Sequence, residues 1–129
     1  MLFYDQKSTK MVYFGKDNKD HITLQALPLS FFDQEEAEMV DLRLDSVLKV
    51  ETINKPDGQQ EQITHYDRKK ISIGYKELEY RRIAASIKEW STSEPVTAEN
   101  VKRLVKGVRD KLLGEIDKLN TLTEDEIKN

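Results

Sequence analysis

The chain has no cysteine, so disulfides, thiolate metal sites and a thiol nucleophile are all excluded. Glycine is scarce, and its 5 residues (Gly15, Gly58, Gly74, Gly107 and Gly114) are scattered. They form no GxGxxG, GxxxxGK[ST] or Gly-x-Ser-x-Gly. The backbone cradles that hold phosphates and the turn that presents a serine nucleophile are therefore absent. No apolar stretch approaches the roughly 18 residues that mark a membrane-crossing helix. Met1 to Lys7 carry a charge at Asp5 and no apolar run, so they do not read as a secretory signal. Only two histidines occur, His21 and His65. Asp20 or Asp67 could join them at a metal, but no ligand spacing supports that, and both read as ordinary surface histidines. No cofactor is expected. A surplus of one charge is lacking too, since 21 basic and 24 acidic residues leave −3. Such a balance suits phosphate attraction poorly.

Charge of both signs is abundant, at 35% of the chain against 37% hydrophobic. About a quarter charged is ordinary for a globular domain. The excess fits a solvated helical surface, or one that a partner covers after assembly. A length of 129 residues suits one domain, and such a chain buries about two-thirds of its unfolded surface without staples.

The first third predicts strands. Met11-Val12-Tyr13-Phe14 and Ile22 to Leu27 are β-prone runs around the turn formers Gly15 to Asp20, which signals a hairpin. Leu2, Phe3 and Tyr4 offer a third, edge strand. After Pro28, Ser30 stands as an N-cap with Asp33 three residues on, close to a capping box. Phe32, Ala37, Val40, Leu44, Val47 and Leu48 give a helical stripe, so a helix is expected from about 31 to about 48. Residues 46–53 fit either a helix extension or a strand. The turn Asn54 to Gly58 and the β-prone Gln62 to Tyr66 favour a hairpin or exposed loop, with 54–62 the best place for a flexible insertion. Tyr75, Leu78, Ile83, Ile87 and Trp90 predict an amphipathic helix over about 75–90. Ser91 to Pro95 break it, and Thr97 is an N-cap with Glu99 in the first turn. Val101, Leu104, Val105, Val108, Leu112, Leu113, Ile116 and Leu119 continue at helical spacing, with Gly107 as a divider or a tolerated interior residue. Thr123 to Glu126 form a last capping box. The expected fold is α+β in a single domain, 1–129. Residues 1–28 supply a small antiparallel sheet, and 30–129 are mainly helical with an uncertain hairpin or loop at 46–66.

No catalytic constellation stands out. The pairs Asp33/Glu36 and Glu35/Glu38 fit the N-terminal end of a helix dipole and a solvated face. Arg68, Lys69, Lys70, Lys76, Arg81 and Arg82 lie among Tyr66, Tyr75 and Tyr80, a pattern that can stack on nucleotides. Glu77, Glu79 and Glu89 in the same segment balance them through i,i+3 and i,i+4 pairs instead. Trp90 is the lone tryptophan, suited to a core or to an interface hot spot. It is expected to pack on Val96, Val101 and Leu104 and to pin the break between helices.

The run Trp90-Ser91-Thr92-Ser93-Glu94-Pro95-Val96-Thr97-Ala98-Glu99-Asn100-Val101-Lys102-Arg103-Leu104 carries a family resemblance. A tryptophan and a short polar break precede Pro-Val-Thr-x-Glu-Asn and a Leu/Ile-rich helix. Together with the N-terminal strand pair and Pro28-Leu29-Ser30-Phe31-Phe32 entering an acidic helix, it resembles the tail assembly chaperones of long-tailed bacteriophages. The resemblance covers 78–120 firmly and 9–45 loosely. It implies a non-enzymatic protein of the host cytoplasm that coats the tape-measure protein, helps recruit tail-tube subunits and self-associates. By analogy, Leu104, Val108, Leu112 and Ile116 serve as core plus contact surface, joined by Trp90. The acidic Glu35, Glu36 and Glu38 serve electrostatic recognition. One alternative is a structural subunit of the tail or connector, present in the virion. A second is a nucleic-acid-binding regulator using 68–82. An enzyme would have to depend on His21 or His65.

Overall fold

A computed structural model describes residues 3–121. In chain order it holds strands β1 (Thr9–Phe14) and β2 (Asp20–Gln25), helix α1 (Leu29–Asp45), strands β3 (Val47–Asn54) and β4 (Gln60–Tyr66), helix α2 (Arg68–Ser86), strand β5 (Ile87–Trp90) and helices α3 (Ala98–Lys102) and α4 (Lys106–Asn120). The fold is α+β, with an antiparallel sheet near the N-terminus and a mainly helical C-terminal half. The capping box expected at Thr123 to Glu126 lies outside the described residues.

The expected hairpin of β1 and β2 forms. Gly15, Asp17 and Asn18 take positive φ between the strands, a conformation open to glycine and tolerated by Asn and Asp. Phe3 and Tyr4 do not form the third strand, and Leu2 lies outside the described residues. The third strand is β5, and the sheet order is β1-β2-β5. Tyr4 instead donates its hydroxyl to the Leu27 carbonyl (2.8 Å) and sets its ring edge-on to Phe32. The helix predicted to reach Trp90 therefore ends at Ser86. From Ile87 (φ −86, ψ 115) the backbone is extended, and Ile87, Glu89 and Trp90 pair with Leu24, Thr23 and Ile22. Ladder bonds to β2 replace the helical ones, so tertiary pairing overrides the apparent helical spacing.

Alternate residues of β2 point into the core. Val12, Ile22, Leu24, Leu27, Ile83, Ile87, Val101, Leu112 and Ile116 make one buried cluster, so α2, α3 and α4 pack on the sheet. Only the start of α1 joins this core, through Phe31 and Phe32. No residue of α1 is buried, and Val40 and Leu44 are exposed. The stripe predicted for this helix is thus not a core face. Its start also differs. Pro28 occupies the N-cap position with no side-chain cap, and Ser30 falls inside the first turn. The fixed φ of proline leads into the helix without a capping hydroxyl. At the other end Ser46 donates its hydroxyl to the Leu42 carbonyl (2.6 Å), and its own carbonyl accepts from the Asp67 N–H (2.7 Å). The chain turns there, and Val47 and Leu48 belong to β3.

Residues 46–66 resolve into the hairpin β3–β4, with Gly58 at φ 84 in its turn. Gln60 to Gln62 lie within β4. Helix α2 begins earlier than expected because the Asp67 side chain caps it, accepting from the Lys70 N–H at 3.1 Å. It returns alongside α1. Gly74 meets Leu42 so closely that a Cβ built there would lie 2.5 Å from both leucine methyls.

Thr97 caps α3 as predicted, its hydroxyl accepting from the Asn100 N–H at 3.1 Å. The break before α4 falls at Arg103 to Val105, so Gly107 lies in the first turn of α4 rather than dividing the helices. Arg109 explains this position. Its guanidinium donates to the carbonyls of Lys102 (3.0 Å) and Leu104 (2.7 Å), satisfying the end of α3 without proline or glycine. No helix among the described residues is long and apolar enough to cross a membrane.

Candidate partner-binding cleft

The predicted apolar seam meets two fates, with Leu104 in the break between α3 and α4 and Val108, Leu112 and Ile116 all on α4. Leu112 and Ile116 are fully buried. Packed in the chain's own core, they have no surface to offer a partner. Leu104 and Val108 are half-buried, as is Trp90. These three meet in one open-sided cleft of about 350 Å³ between the sheet and the α3–α4 corner. Phe14 from the end of β1 and Ile22 complete its apolar wall, while Asp20, His21, Glu94, Asn100 and Arg103 supply the polar rim.

Local bonds place each part. The Trp90 indole N–H donates to the Glu94 carbonyl at 2.7 Å, so residues 91–94 fold over the ring edge. Asn100 donates its side-chain amide to the Pro95 carbonyl (2.8 Å) and accepts from Arg103 (3.1 Å). Trp90, Val96 and Leu104 all pack against the core, as expected for the residues around the break. The Arg103–Glu94 pair spans 3.5 Å with both side chains largely exposed, and such a pair adds little stability. A wall of Phe, Trp, Leu and Val with a polar edge suits an apolar side chain offered by another protein.

The rim does not assemble a nucleophile. The Ser91 hydroxyl accepts from the His21 backbone N–H at 3.0 Å and lies 3.4 Å from an Asp20 carboxylate oxygen. The His21 ring tilts against Tyr13, centroids 6.4 Å apart. His65 is elsewhere, in β4, where it meets Glu51 at 2.9 Å. No cluster of three or more potential metal ligands exists among the described residues.

Two of the three acidic residues expected to serve recognition are engaged within the chain. Glu35 pairs with Arg82 at 2.7 Å and Glu38 with Arg81 at 2.6 Å, tying α1 to α2. Glu36 is exposed on α1. These contacts also correct the charge balance expected within α2. Lys76 does pair locally with Glu79 (3.7 Å), but Arg81 and Arg82 are neutralised across the helix pair. Glu77 reaches Lys102 on α3 at 2.7 Å, and that hydrogen bond raises the Lys102 ammonium above its ordinary pKa. The ring of Tyr80 lies beneath both Lys102 and Arg109, at 5.6 and 5.5 Å. Of the cleft residues, Phe14, Ile22, Asn100 and Arg103 carry no binding signal in the sequence. Asn100 was visible only as part of the Pro-Val-Thr-x-Glu-Asn motif, and Phe14 only as the end of a strand.

Comparison of the chain with protein families, with curated proteins and with solved structures returns no match.

Proposed function

We propose that this chain is a non-enzymatic assembly protein that receives an apolar segment of another protein in the cleft of Trp90, Leu104 and Val108. The observation that carries this reading is the convergence of those three half-buried side chains on an open apolar wall. A tryptophan within such a wall is the usual anchor of a protein interface. The setting we propose is bacteriophage tail assembly in the host cytoplasm, with the tape-measure and tail-tube proteins as partners. It rests on the resemblance of residues 90–104, and an amphipathic tape-measure helix offers the side chains that such a cleft accepts. The nucleic-acid reading is weaker, because Arg81 and Arg82 are held by Glu38 and Glu35.

Co-expression with a long coiled-coil protein, if one is encoded beside this gene, tests the proposal. A soluble complex is expected, with the Trp90 emission shifted to the blue on binding. Leu104→Asp should weaken capture at least tenfold while leaving the far-UV circular dichroism unchanged. Undiminished capture by that variant would remove the cleft from the mechanism. The lack of any such neighbouring reading frame would remove the tail setting. Finding the chain in purified virions would favour a structural subunit over a chaperone.

A further inference from the structure

The hairpin β3–β4 forms a separate two-stranded sheet, and none of its strand residues is buried. A two-stranded hairpin is marginally stable in water unless a further strand or another element supports it. Its two faces differ in kind. The register pairs Val47 with Tyr66, Val50 with Thr64, Thr52 with Gln62 and Asn54 with Gln60. Side chains alternate along each strand, so that face carries no charged residue. Lys49, Glu51, Glu61 and His65 all belong to the other face.

The two edges differ as well. β3 carries the register shift between Val47 and Lys49 and a lysine, which are devices that discourage a neighbouring strand. β4 reads Gln60-Glu61-Gln62-Ile63-Thr64-His65-Tyr66. It contains no lysine, proline, glycine or irregular position, and its outer edge pairs with no strand among the described residues. The strand is also complementary to itself. A second copy laid antiparallel about Ile63 sets Ile63 on Ile63, Gln62 on Thr64, Glu61 on His65 and Gln60 on Tyr66. Every pair keeps charged side chains on one face and uncharged ones on the other. The acid–histidine pair occurs twice, as two-fold symmetry requires.

We propose that β4 is the interface of a reversible homodimer, in which two copies join edge to edge into a four-stranded antiparallel sheet centred on Ile63. Glu61 of each copy faces His65 of the other, which gives the register its specificity. Seven residues a side at about 50 Å² each bury about 700 Å² in all, below the standard size of a stable interface, so the dimer is weak and concentration-dependent. This association uses no residue of the cleft and stands whether or not the cleft binds tail proteins.

The lack of cysteine makes the test direct. Cross-strand partners in an antiparallel pair place their Cα atoms about 4.5–5.5 Å apart, within reach of a disulfide. Ile63→Cys should therefore oxidise to a covalent dimer. Gln60→Cys should form at least tenfold less, because its two copies lie about 20 Å apart across the axis. Charge variants add a register-specific readout by sedimentation over a concentration series. Glu61→Lys and His65→Glu should each lose dimerisation at least tenfold, while an equimolar mixture of the two should recover it, since each then faces an opposite charge. Equal cross-linking at both positions, a wild-type chain that stays monomeric at millimolar concentration, or no recovery on mixing would overturn the proposal. Cross-linking at a position of β3 in place of Ile63 would assign the edge to β3 and equally refute it.

Discussion

Gly74 on α2 lies directly against Leu42 of α1, and adding one methyl group there tests the packing of the pair. A glycine inside a helix costs about 1 kcal/mol relative to alanine. On propensity alone, Gly74→Ala should stabilise the chain. The structure opposes this, because the new Cβ would lie 2.5 Å from both methyls of Leu42 and 3.0 Å from its Cγ. The branch point itself is close, so turning the tip of the leucine does not clear the clash. Overpacking of this kind typically costs about 1–3 kcal/mol. Gly74→Ala should therefore lose about 1 kcal/mol net. In a Leu42→Ala background the obstruction is gone, and the same substitution should gain about 1 kcal/mol. The coupling between the two sites is then about 2 kcal/mol, within the range for residues in contact. Urea unfolding followed by Trp90 fluorescence and circular dichroism measures all four corners of the cycle. If Gly74→Ala stabilises both backgrounds equally, Leu42 does not pack on Gly74, and α1 and α2 do not meet at this contact.

Two further outcomes follow from local contacts. Thr97→Ala should cost about 1 kcal/mol through the lost cap of α3, whereas Ser30→Ala, which caps nothing, should stay within about 0.5 kcal/mol; equal losses in urea would contradict both assignments. The Glu115 carboxyl is held below its ordinary pKa by its hydrogen bond to the Lys10 ammonium, and a group depressed in the folded state lends stability above its unfolded pKa that is lost as pH falls through the folded one. The urea midpoint should thus drop below about pH 4.5, the ordinary glutamate range, and Glu115→Gln should flatten part of that drop; an identical acid limb in the variant would contradict the contact.

The parts of this fold that were legible in the sequence are those built by neighbours along the chain. The turn between β1 and β2 needs positive φ and is made of Gly15, Asp17 and Asn18, residues that accept it. Thr97 meets its Asn100 N–H three residues away. The hairpin at 46–66 was half-legible, since Asn54 to Gly58 marks a turn but Val47 and Leu48 also continue a helical stripe. The misplaced parts depend on distant partners. Ile87 and Trp90 sit at helical spacing from Ile83, and only the free edge of β2 draws them into a strand. The end of α3 is set by Arg109, whose guanidinium reaches back to two carbonyls, a bond that spacing cannot reveal. The candidate site divided along the same line. Leu104, Val108, Leu112 and Ile116 form one periodic seam in sequence, and spacing alone does not show that Leu112 and Ile116 are fully buried while Leu104 and Val108 are left half-buried on the cleft.

Apolar residues in this chain serve two different ends. Val12, Ile22, Leu24, Leu27, Ile83, Ile87, Val101, Leu112 and Ile116 are spent on one core. Those of the segment from Val40 to Ile73 are not: Val40, Leu44, Leu48, Val50 and Ile73 are each more than half exposed. A monomer that needed only to fold could replace them with polar residues at little cost, since α1 is held to α2 by ion pairs and by the Leu42–Gly74 contact. Exposed apolar groups collected on one segment are the kind of surface that the proposed assembly role would use. The cleft, by contrast, borrows its walls from the core and is as rigid as the core is. A helix or side chain entering it displaces water from a preformed wall and orders little of the chain, which favours affinity. The hairpin has no buried residue of its own, which favours weak, reversible contact. On the two proposals above, the difference in support beneath the two surfaces would give the cleft the tighter partner and β4 the looser self-association.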